Sequence, residues 1–271
     1  MRVKKTSFKI KLFLLGYKVF KFFPKIATLF YKFFNLILKA YEGIWLGLLK
    51  RESIHEINET FYNAQKFYFT DEHNKSGLFL WEKYVIEKNF KEKKTLLLLA
   101  AGGGREIYSL EPMGYKIYSF ECNEELIKYA NAFLSRERLI SRVAFSEPDH
   151  CPLIGKKLDG AILSWGTYSH IKSSSKRISL LKEIKENLKP KAPLLISFWV
   201  YSGENLNSKI VARVANLFKP YEAIEIGDAL PTQFTHSFDK EQIERELIAS
   251  GYELVYYSTE AYGHAVGLVK A

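Results

Sequence analysis

A glycine-rich turn between an apolar strand and a helix start is the feature that most constrains the fold of this chain. Residues 95–106 read TLLLLAAGGGRE, and Glu121 ends a second apolar run, YKIYSFE. Glycine lacks a Cβ and therefore lets the backbone pass close to a ligand. An acid at the end of the next strand can accept hydrogen bonds from ribose hydroxyls. The pattern predicts a nucleotide-like cofactor at the carboxyl edge of a parallel sheet.

Two common phosphate-binding motifs do not fit this turn. The dinucleotide fingerprint GxGxxG, read from Gly102, needs a small residue where Ile107 stands. The P-loop pattern GxxxxGK[ST] does not occur in the sequence. A nicotinamide-dependent oxidoreductase is therefore disfavoured, although it stays an alternative.

Strand and helix patterns alternate from residue 95 onward and predict an α/β fold. We expect a doubly wound, mostly parallel seven-stranded sheet of the Rossmann-like kind, with an antiparallel C-terminal strand. Residues 201–235 interrupt the alternation and predict a helical insertion, with its helix at 206–217. The polar segment 70–77 predicts a loop. The predicted strands are 95–100, 115–120, 142–146, 158–164, 193–199, 252–258 and 264–270; the predicted helices between and after them are 104–112, 123–135, 174–188 and 239–250.

The positive charge of the chain is concentrated in its first 51 residues. This segment holds twelve basic residues and one acid, a net +11, so the rest of the chain sums to −1. We therefore divide the chain into a basic amphipathic helical arm, 1–50, and a larger domain, 51–271, which contains the glycine turn. Two helices, 7–22 and 25–49, are predicted in the arm, because Pro24 should break or kink a helix.

Lysines recur in the arm at every seventh position, which places them in one slowly drifting stripe on a helix. The other residues of the arm are mostly apolar. An apolar face opposite a basic stripe favours a helix that lies in the plane of an anionic membrane surface. Packing on a protein partner or on the domain itself is the alternative, and nucleic acid is disfavoured because only two of the twelve cations are arginine. A spanning helix and a cleaved signal peptide are excluded by the interrupting charges and by the missing cleavage site. The lysines of the stripe are Lys4, Lys11, Lys18, Lys25, Lys32 and Lys39.

From Thr95 to Ala271 the chain resembles the class I S-adenosylmethionine-dependent methyltransferases. The resemblance depends on five ordered segments rather than on the glycine turn alone. It implies S-adenosyl-L-methionine as cofactor, methyl transfer as the activity, and a sheet closed by an antiparallel hairpin. The segments are LLLLAAGGGRE (96–106), FECNEELIKYA (120–130), FSEPDHCPL (145–153), LDGAILSWGTYSHI (158–171) and LKEIKENLKPKAPLLISF (181–198).

The resemblance also implies a role for each matching residue in the cofactor site. Glu121 would hold the ribose hydroxyls. The residues implied to line the methionine part and the ribose are Ala100, Gly102 and Gly104; those implied to flank or face the adenine are Cys122, Asn123, Asp149 and His150; those implied to cover the methionine moiety are Ser164 and Trp165.

Methyl transfer needs an aligned nucleophile and a group that takes one proton. His170 and His236 are the candidate catalytic residues, since histidine is the usual general base near neutral pH. The absence of a CxxC pair from the sequence argues against a structural zinc site, and two cysteines suit a reducing cytoplasm. We expect a cytoplasmic enzyme attached to the inner face of the membrane, acting on a small-molecule or lipid acceptor. A scaffold that binds the cofactor without turnover is the alternative.

Overall fold

A computed structural model describes residues 8–92, 94–201, 203, 206–218 and 221–270. Lys4 and part of the predicted insertion 201–235 lie outside the described residues. The helices are α1 (Phe8–Leu48), α2 (Arg51–Ala64), α3 (Asp71–Lys75), α4 (Leu80–Asn89), α5 (Arg105–Leu110), α6 (Glu124–Arg136), α7 (Ser174–Glu186), α8 (Leu206–Asn216) and α9 (Lys240–Ala249), with 3₁₀ turns at Lys66–Phe69 and Thr167–His170.

The strands form one mixed sheet that is mostly parallel. Its order is β3-β2-β1-β4-β5, continued by β9, which is antiparallel to β5, and by β8, which is antiparallel to β9. The predicted doubly wound fold with an antiparallel C-terminal strand is confirmed. Two short strands extend it: β6 lies inside the predicted insertion, and β7 begins at the last residue of that insertion. The strands are β1 (Thr95–Leu99), β2 (Lys116–Glu121), β3 (Val143–Phe145), β4 (Gly160–Leu163), β5 (Pro193–Val200), β6 (Asp228–Ala229), β7 (Thr235–Phe238), β8 (Tyr252–Ser258) and β9 (Gly263–Val269).

Strand β1 lies in the middle of the sheet and is buried on both faces. Leu96 and Leu98 pack into the core under α4, α5 and α6, while Leu97 and Leu99 pack into the core under α7 and α9. A central parallel strand covered by helices on both sides needs apolar side chains at every position rather than at alternate ones. This explains the unbroken run of leucines before the glycine turn.

Helix α1 is a single helix of 41 residues that contains Pro24. The predicted break into 7–22 and 25–49 is therefore wrong. Proline removes one backbone N–H donor and thus one helical hydrogen bond, and the bonds on either side hold the helix together. The Thr28 hydroxyl also donates to the Pro24 carbonyl at 2.7 Å. Within the part of the chain that the structure describes, no helix is both long and apolar enough to cross a membrane.

The C-terminal end of α1 packs against α8 through two glycines. A Cβ on Gly43 would lie 2.7 Å from the Val211 carbonyl oxygen, and one on Gly47 would lie 2.6 Å from that of Ala215. Leu46, between them, is fully buried in a third apolar cluster with residues of α2 and α8. The predicted insertion is thus the part of the domain that holds the arm, by a contact that only glycine permits.

The segment 70–77, predicted to be a loop, contains helix α3. The Thr70 hydroxyl caps this helix by accepting a hydrogen bond from the His73 backbone N–H at 3.3 Å. Asp71 and Glu72 stand in its first turn, where acids suit the helix dipole. The polar composition of this segment suggested a loop, but the segment forms a short capped helix. The loop prediction is therefore wrong.

Candidate functional site

A cavity of about 210 Å³ lies at the carboxyl ends of β1, β2, β3 and β4. One wall is the edge of the sheet: the glycine turn, residues 121–123, residues 146–150 and residues 163–165. The other wall is a helical lid made of α2, the 3₁₀ turn Lys66–Phe69 and α3. Ligands of open α/β sheets bind at this edge, so the cavity is the candidate site.

Three residues of the glycine turn have a left-handed backbone, and two of its glycines face different surroundings. Ala100, Gly102 and Gly104 have φ values of 55°, 51° and 97°. A Cβ on Gly102 would meet no atom within 4 Å, because the space beyond it is the cavity. A Cβ on Gly103 would instead lie 2.5 Å from Asn74 Oδ1. Gly102 therefore faces ligand space, while Gly103 lets the lid approach the sheet.

Glu121 is buried and its carboxylate is oriented by backbone donors. Its Oε1 accepts hydrogen bonds from the N–H groups of Cys122 at 2.8 Å and Asn123 at 3.0 Å. Its Oε2 accepts one from the Gly102 N–H at 2.9 Å. A carboxylate offers about four acceptor positions, so Oε2 keeps room for a further donor. The structure thus joins the two predicted halves of the site, the turn and the acid, in direct contact.

The residues after Glu121 line the cavity as their sequence position predicts. Loss of hydration in the cavity wall and the neighbouring Glu121 carboxylate raise the pKa of the Cys122 thiol, so this side chain stays protonated and is not a thiolate nucleophile. Asn123 caps α6 by accepting from the Leu126 N–H at 3.0 Å, and its amide donates to Asn63 of the lid at 2.8 Å. Asn123 therefore fastens the lid to the sheet edge beside Glu121.

Ser164 and Trp165 follow β4 and line the cavity. The Ser164 hydroxyl donates to Glu106 Oε1, which also accepts from Arg105 at 2.6 Å. Arg105 is buried and makes a two-pronged pair with Glu82, at 2.7 Å for each bond. Burial alone would lower the pKa of Arg105, but Glu106 and Glu82 raise it. This buried charge cluster fixes the start of α5 and presents Glu106 to the cavity.

Asp149 and His150 follow β3 and both line the cavity. Asp149 has a positive φ of 58°, and its Oδ2 lies 3.2 Å from His55 Nε2 and 3.6 Å from Arg51 Nη1. His150 is exposed, with Nδ1 3.3 Å from a carboxylate oxygen of Glu183. Asp149 therefore faces both the predicted adenine edge and the base of the lid, whereas His150 stands at the rim.

The structure separates the two predicted catalytic histidines. His170 lines the cavity. His236 is fully buried, and it is absent from the cavity wall among the described residues. Its Nδ1 lies 2.6 Å from Asp228 Oδ1 and its Nε2 lies 2.8 Å from Gln242 Nε2. Both ring nitrogens are occupied, so the prediction that His236 handles a proton at the acceptor is corrected: it ties β6, β7 and α9 together.

No residue of the lid was among the predicted site residues. Four of its cavity-facing residues belong to α2, and their spacing of three or four positions places them on one helix face. They are His55, Asn58, Glu59 and Tyr62. A polar and aromatic stripe at that spacing, just before the first strand, is the signal that could have found them. Burial raises the pKa of the Tyr68 hydroxyl to about 12 and lowers that of the His73 imidazole, so both are neutral at pH 7. The lid residues in the wall are His55, Asn58, Glu59, Tyr62, Tyr68, His73 and Asn74.

Unpaired polar atoms in the wall fit a polar ligand. Among the described residues of the wall, Asn74 Oδ1 and Trp165 Nε1 are buried without a hydrogen-bond partner. Buried polar groups are nearly always hydrogen-bonded, so each such atom calls for an explanation. Together with the free capacity of Glu121 and the open space over Gly102, they fit a ligand that carries hydroxyl, amino and carboxylate groups.

Neither a protein-family model nor a curated protein matches this chain. Solved structures match it in fold. A methyltransferase dependent on S-adenosylmethionine, from Methanosarcina mazei, has a TM-score of 0.56 at 16% identity and covers 72% of this chain and 99% of its own. The amino pentose methyltransferase CalS10 from Micromonospora echinaspora, solved with that cofactor bound, has a TM-score of 0.54 at 11% identity, with coverages of 77% and 96%. The sugar N-methyltransferase KedS8 from a Streptoalloteichus species has a TM-score of 0.54 at 13% identity, with coverages of 79% and 93%.

The sheet order, the glycine turn and the acid after β2 define a Rossmann-like α/β protein with a ligand site at its carboxyl edge. The chain has the fold of the class I S-adenosylmethionine-dependent methyltransferases. The fold that the sequence motifs implied is thereby confirmed. Since the identities are below a fifth, the likeness extends to the fold and not to a substrate.

Proposed function

We propose that this protein binds S-adenosyl-L-methionine and transfers its methyl group to an acceptor. The observation that carries the proposal is the Glu121 carboxylate, held by three backbone N–H groups beside the open turn at Gly102. When bound, the cofactor would supply an electrophilic methyl group on a positively charged sulfur. The residues that would hold it are those of the sheet-edge wall.

Each part of this wall suits one part of the cofactor. Glu121 Oε2 would accept from the ribose hydroxyls, and Asp149 would accept from the adenine amino group. Glu106 carries a carboxylate close to the glycine turn and suits the ammonium of the methionine part. Trp165 covers the remaining side. The lid closes over these groups and excludes water, which strengthens every electrostatic contact inside.

The cofactor site is tested by calorimetric titration with S-adenosylmethionine and, in parallel, with NAD. Gly102→Val places a side chain in the cavity, and a steric penalty of about 3 kcal/mol would weaken binding roughly 100-fold. Gly114→Val is the matched control, because Gly114 also has a positive φ, 93°, and open space around it but lies outside the cavity wall. Equal affinities in the two variants would contradict the site.

The same titrations separate the alternatives. Binding of NAD in place of S-adenosylmethionine would favour an oxidoreductase. Binding of S-adenosylmethionine without methylated product in either a lipid or a soluble cell extract would favour the scaffold alternative. Labelled product in the lipid extract, absent from the soluble extract, would support a lipid acceptor.

We also propose that α1 attaches the enzyme to an anionic membrane surface. Lysines 11, 18, 25, 32 and 39 form one stripe, and Leu46 continues the same series of seven. Because Leu46 faces α8, the domain sits on the lysine side of α1. Positions two and five after each lysine lie on the opposite side of the helix. They are Phe13, Gly16, Phe20, Phe23, Ala27, Phe30, Phe34, Ile37, Tyr41 and Ile44, an uncharged face.

The aromatic side chains of this opposite face are exposed. Phe20, Phe23 and Phe30 are 72%, 58% and 59% exposed. An apolar helix face with a basic face behind it suits a lipid surface, where the rings enter the acyl boundary and lysines reach the headgroups. Each lysine near an anionic surface contributes about 1 kcal/mol. Since the lid begins directly after α1, such docking would hold the cavity close to the membrane.

Vesicle sedimentation tests the attachment. Vesicles of phosphatidylcholine with phosphatidylglycerol are compared with vesicles of phosphatidylcholine alone. The triple variant Phe20→Ser, Phe23→Ser, Phe30→Ser should lose binding to both, whereas Lys18→Gln, Lys25→Gln, Lys32→Gln should lose only the preference for anionic lipid. Unchanged sedimentation of the serine variant would contradict the proposal. Self-association of the native chain without vesicle binding would favour a protein partner for this face instead.

A further inference from the structure

Tyr62 of the lid and His170 after β4 meet inside the cavity. The Tyr62 hydroxyl oxygen lies 2.9 Å from His170 Nε2, and the two rings stand at 90° with centroids 5.7 Å apart. Both residues line the cavity. The contact joins the two walls, because Tyr62 belongs to α2 and His170 ends the 3₁₀ turn that follows the sheet edge.

The second ring nitrogen of His170 fixes the direction of this hydrogen bond. His170 Nδ1 lies 2.8 Å from the carbonyl oxygen of Phe234, which can only accept. Nδ1 must therefore carry the proton, and in the neutral imidazole Nε2 is then an acceptor. The Tyr62 hydroxyl consequently donates to Nε2. Its oxygen keeps its own lone pairs available to a donor in the cavity.

Burial keeps both members of the pair neutral. Burial lowers the pKa of His170 and raises that of Tyr62 well above its ordinary value. Tyr68, Glu121, Tyr262 and Cys122 add to the rise at Tyr62, because each carries or can carry negative charge nearby. No charged side chain contributes to the shift at His170. The pair is a neutral hydroxyl aimed at a neutral imidazole that can still take a proton.

We infer that Tyr62, rather than His170, receives the proton of the methyl acceptor, and that His170 accepts the proton that Tyr62 gives up. The inference rests on the proposed function. His170 was predicted to meet the substrate itself; in this arrangement its Nε2 is covered by Tyr62. Tyr62 is then the catalytic residue, and His170 is a positioning residue that acts through it.

Tyr62 and His170 together can take up the proton that the methyl acceptor releases. The bond between the acceptor's nucleophilic atom and its hydrogen breaks, and its electron pair stays on that atom for the new bond to carbon. The proton goes to the Tyr62 oxygen, while the Tyr62 hydroxyl proton moves to His170 Nε2. Nδ1–H remains bonded to the Phe234 carbonyl. His170 would then carry one positive charge as an imidazolium, and its lowered pKa would favour return of the proton to solvent through Tyr62.

Nitrogen NMR of histidine side chains tests the arrangement without turnover. The expected spectrum of the native chain shows His170 as the neutral form protonated at Nδ1, with a hydrogen-bonded Nε2. His170→Gln assigns the signals among the six histidines. Tyr62→Phe should move the Nε2 signal toward that of a free imidazole nitrogen. Tyr68→Phe is the matched control: its ring contacts Tyr62 with centroids 5.4 Å apart, and it should leave the signal in place.

Two NMR results would overturn the inference: a proton on Nε2 instead of Nδ1 of His170, or an Nε2 signal that Tyr62→Phe does not change.

The second experiment measures incorporation of labelled methyl into the lipid and soluble extracts as a function of pH. The native rate should fall as pH drops through the pKa of His170, and Tyr62→Phe should lower the plateau about 100-fold and remove that fall. A Tyr62→Phe profile equal to the native one contradicts the inference. Absence of incorporation by the native chain overturns the proposed function and the inference with it, whereas the NMR result reports on the pair alone.

Discussion

Helix α1 and strand β1 are both built from large apolar side chains, yet the folded chain treats them in opposite ways. Leu96, Leu97 and Leu98 of β1 are fully buried. Phe23 and Phe30 of α1 are more than half exposed. The difference lies in what stands between the apolar residues. Strand β1 carries no charge and is covered by helices on both faces, whereas α1 carries a lysine every seventh residue and meets the domain only at its end.

The comparison shows that apolar content does not by itself predict burial. A strand in the middle of a parallel sheet is covered because its neighbours and crossover helices are supplied by the same chain. Helix α1 has no such cover along most of its length, and its large apolar side chains there are exposed. Matched substitutions in the two regions test this contrast.

The largest expected effect comes from truncating one side chain in each region. Leu98→Ala should lower the free energy of unfolding by about 3 kcal/mol, because it leaves a cavity in a fully buried core. Phe23→Ala should change it by less than about 0.5 kcal/mol, because an exposed ring loses little contact on truncation. Urea unfolding followed by circular dichroism measures both. Equal losses would mean that α1 is covered within the folded chain and would remove the contrast.

A smaller effect is expected where α1 does touch the domain. Gly47→Ala places a Cβ 2.6 Å from the Ala215 carbonyl oxygen, so α1 or α8 must shift, at a cost of about 1–3 kcal/mol. Gly16→Ala is the matched control in the same helix, since a Cβ there meets nothing within 4 Å. It should raise helix stability by about 1 kcal/mol. Hydrogen exchange of α8 amides should speed up in the first variant only; unchanged exchange in both would contradict the packing at Gly47.

The smallest effect concerns the start of β1 and depends on pH. The Asp159 carboxylate accepts from the Thr95 N–H at 2.9 Å and from Lys189 Nζ at 2.6 Å. Burial would raise the pKa of Asp159, but the Lys189 and Thr95 hydrogen bonds hold it below its ordinary value. Its contribution is therefore complete above the unfolded pKa of about 3.9 and is lost as pH falls through the lower folded value.

Asp159→Asn tests this prediction through urea midpoints at several pH values. Near pH 7 the variant should be less stable by about 1 kcal/mol, the scale of hydrogen bonds at a partly exposed site. The gap should narrow below about pH 4, where the carboxylate of the unfolded chain begins to take up a proton while that of the folded chain stays charged. A gap that stays constant down to pH 2 would show that these hydrogen bonds do not depend on the charge of Asp159.

Most of the sheet could be predicted because the sequence patterns that indicate it are local. The leucine run, the glycine turn and the acid after β2 lie within one short stretch, and parallel strands bring their carboxyl ends to one edge. Glu121 and Gly102 therefore meet as their order in the sequence requires, at 2.9 Å. The alternation of strands and helices fixed the rest of the predicted sheet without knowledge of any contact.

The prediction for His236 failed because the role of this residue depends on contacts between distant segments. His236 resembles a catalytic histidine in the sequence, but Asp228 and Gln242 occupy both its nitrogens once β6, β7 and α9 come together. Pro24 resembles a helix break, yet the helix continues through it. The sequence around Tyr62 did not predict a function for this residue. Its role depends on His170, which lies more than a hundred positions later in the chain.

The amino-acid sequence was enough to predict the Rossmann-like sheet, the open turn at Gly102 and the acid beside it, because periodicity, glycine geometry and strand order act over a few residues at a time. The folded structure was needed to show which histidine reaches the cavity, that a helical lid forms its second wall, and which side of α1 the domain covers. These features depend on contacts between side chains of separate elements, which are far apart in the sequence.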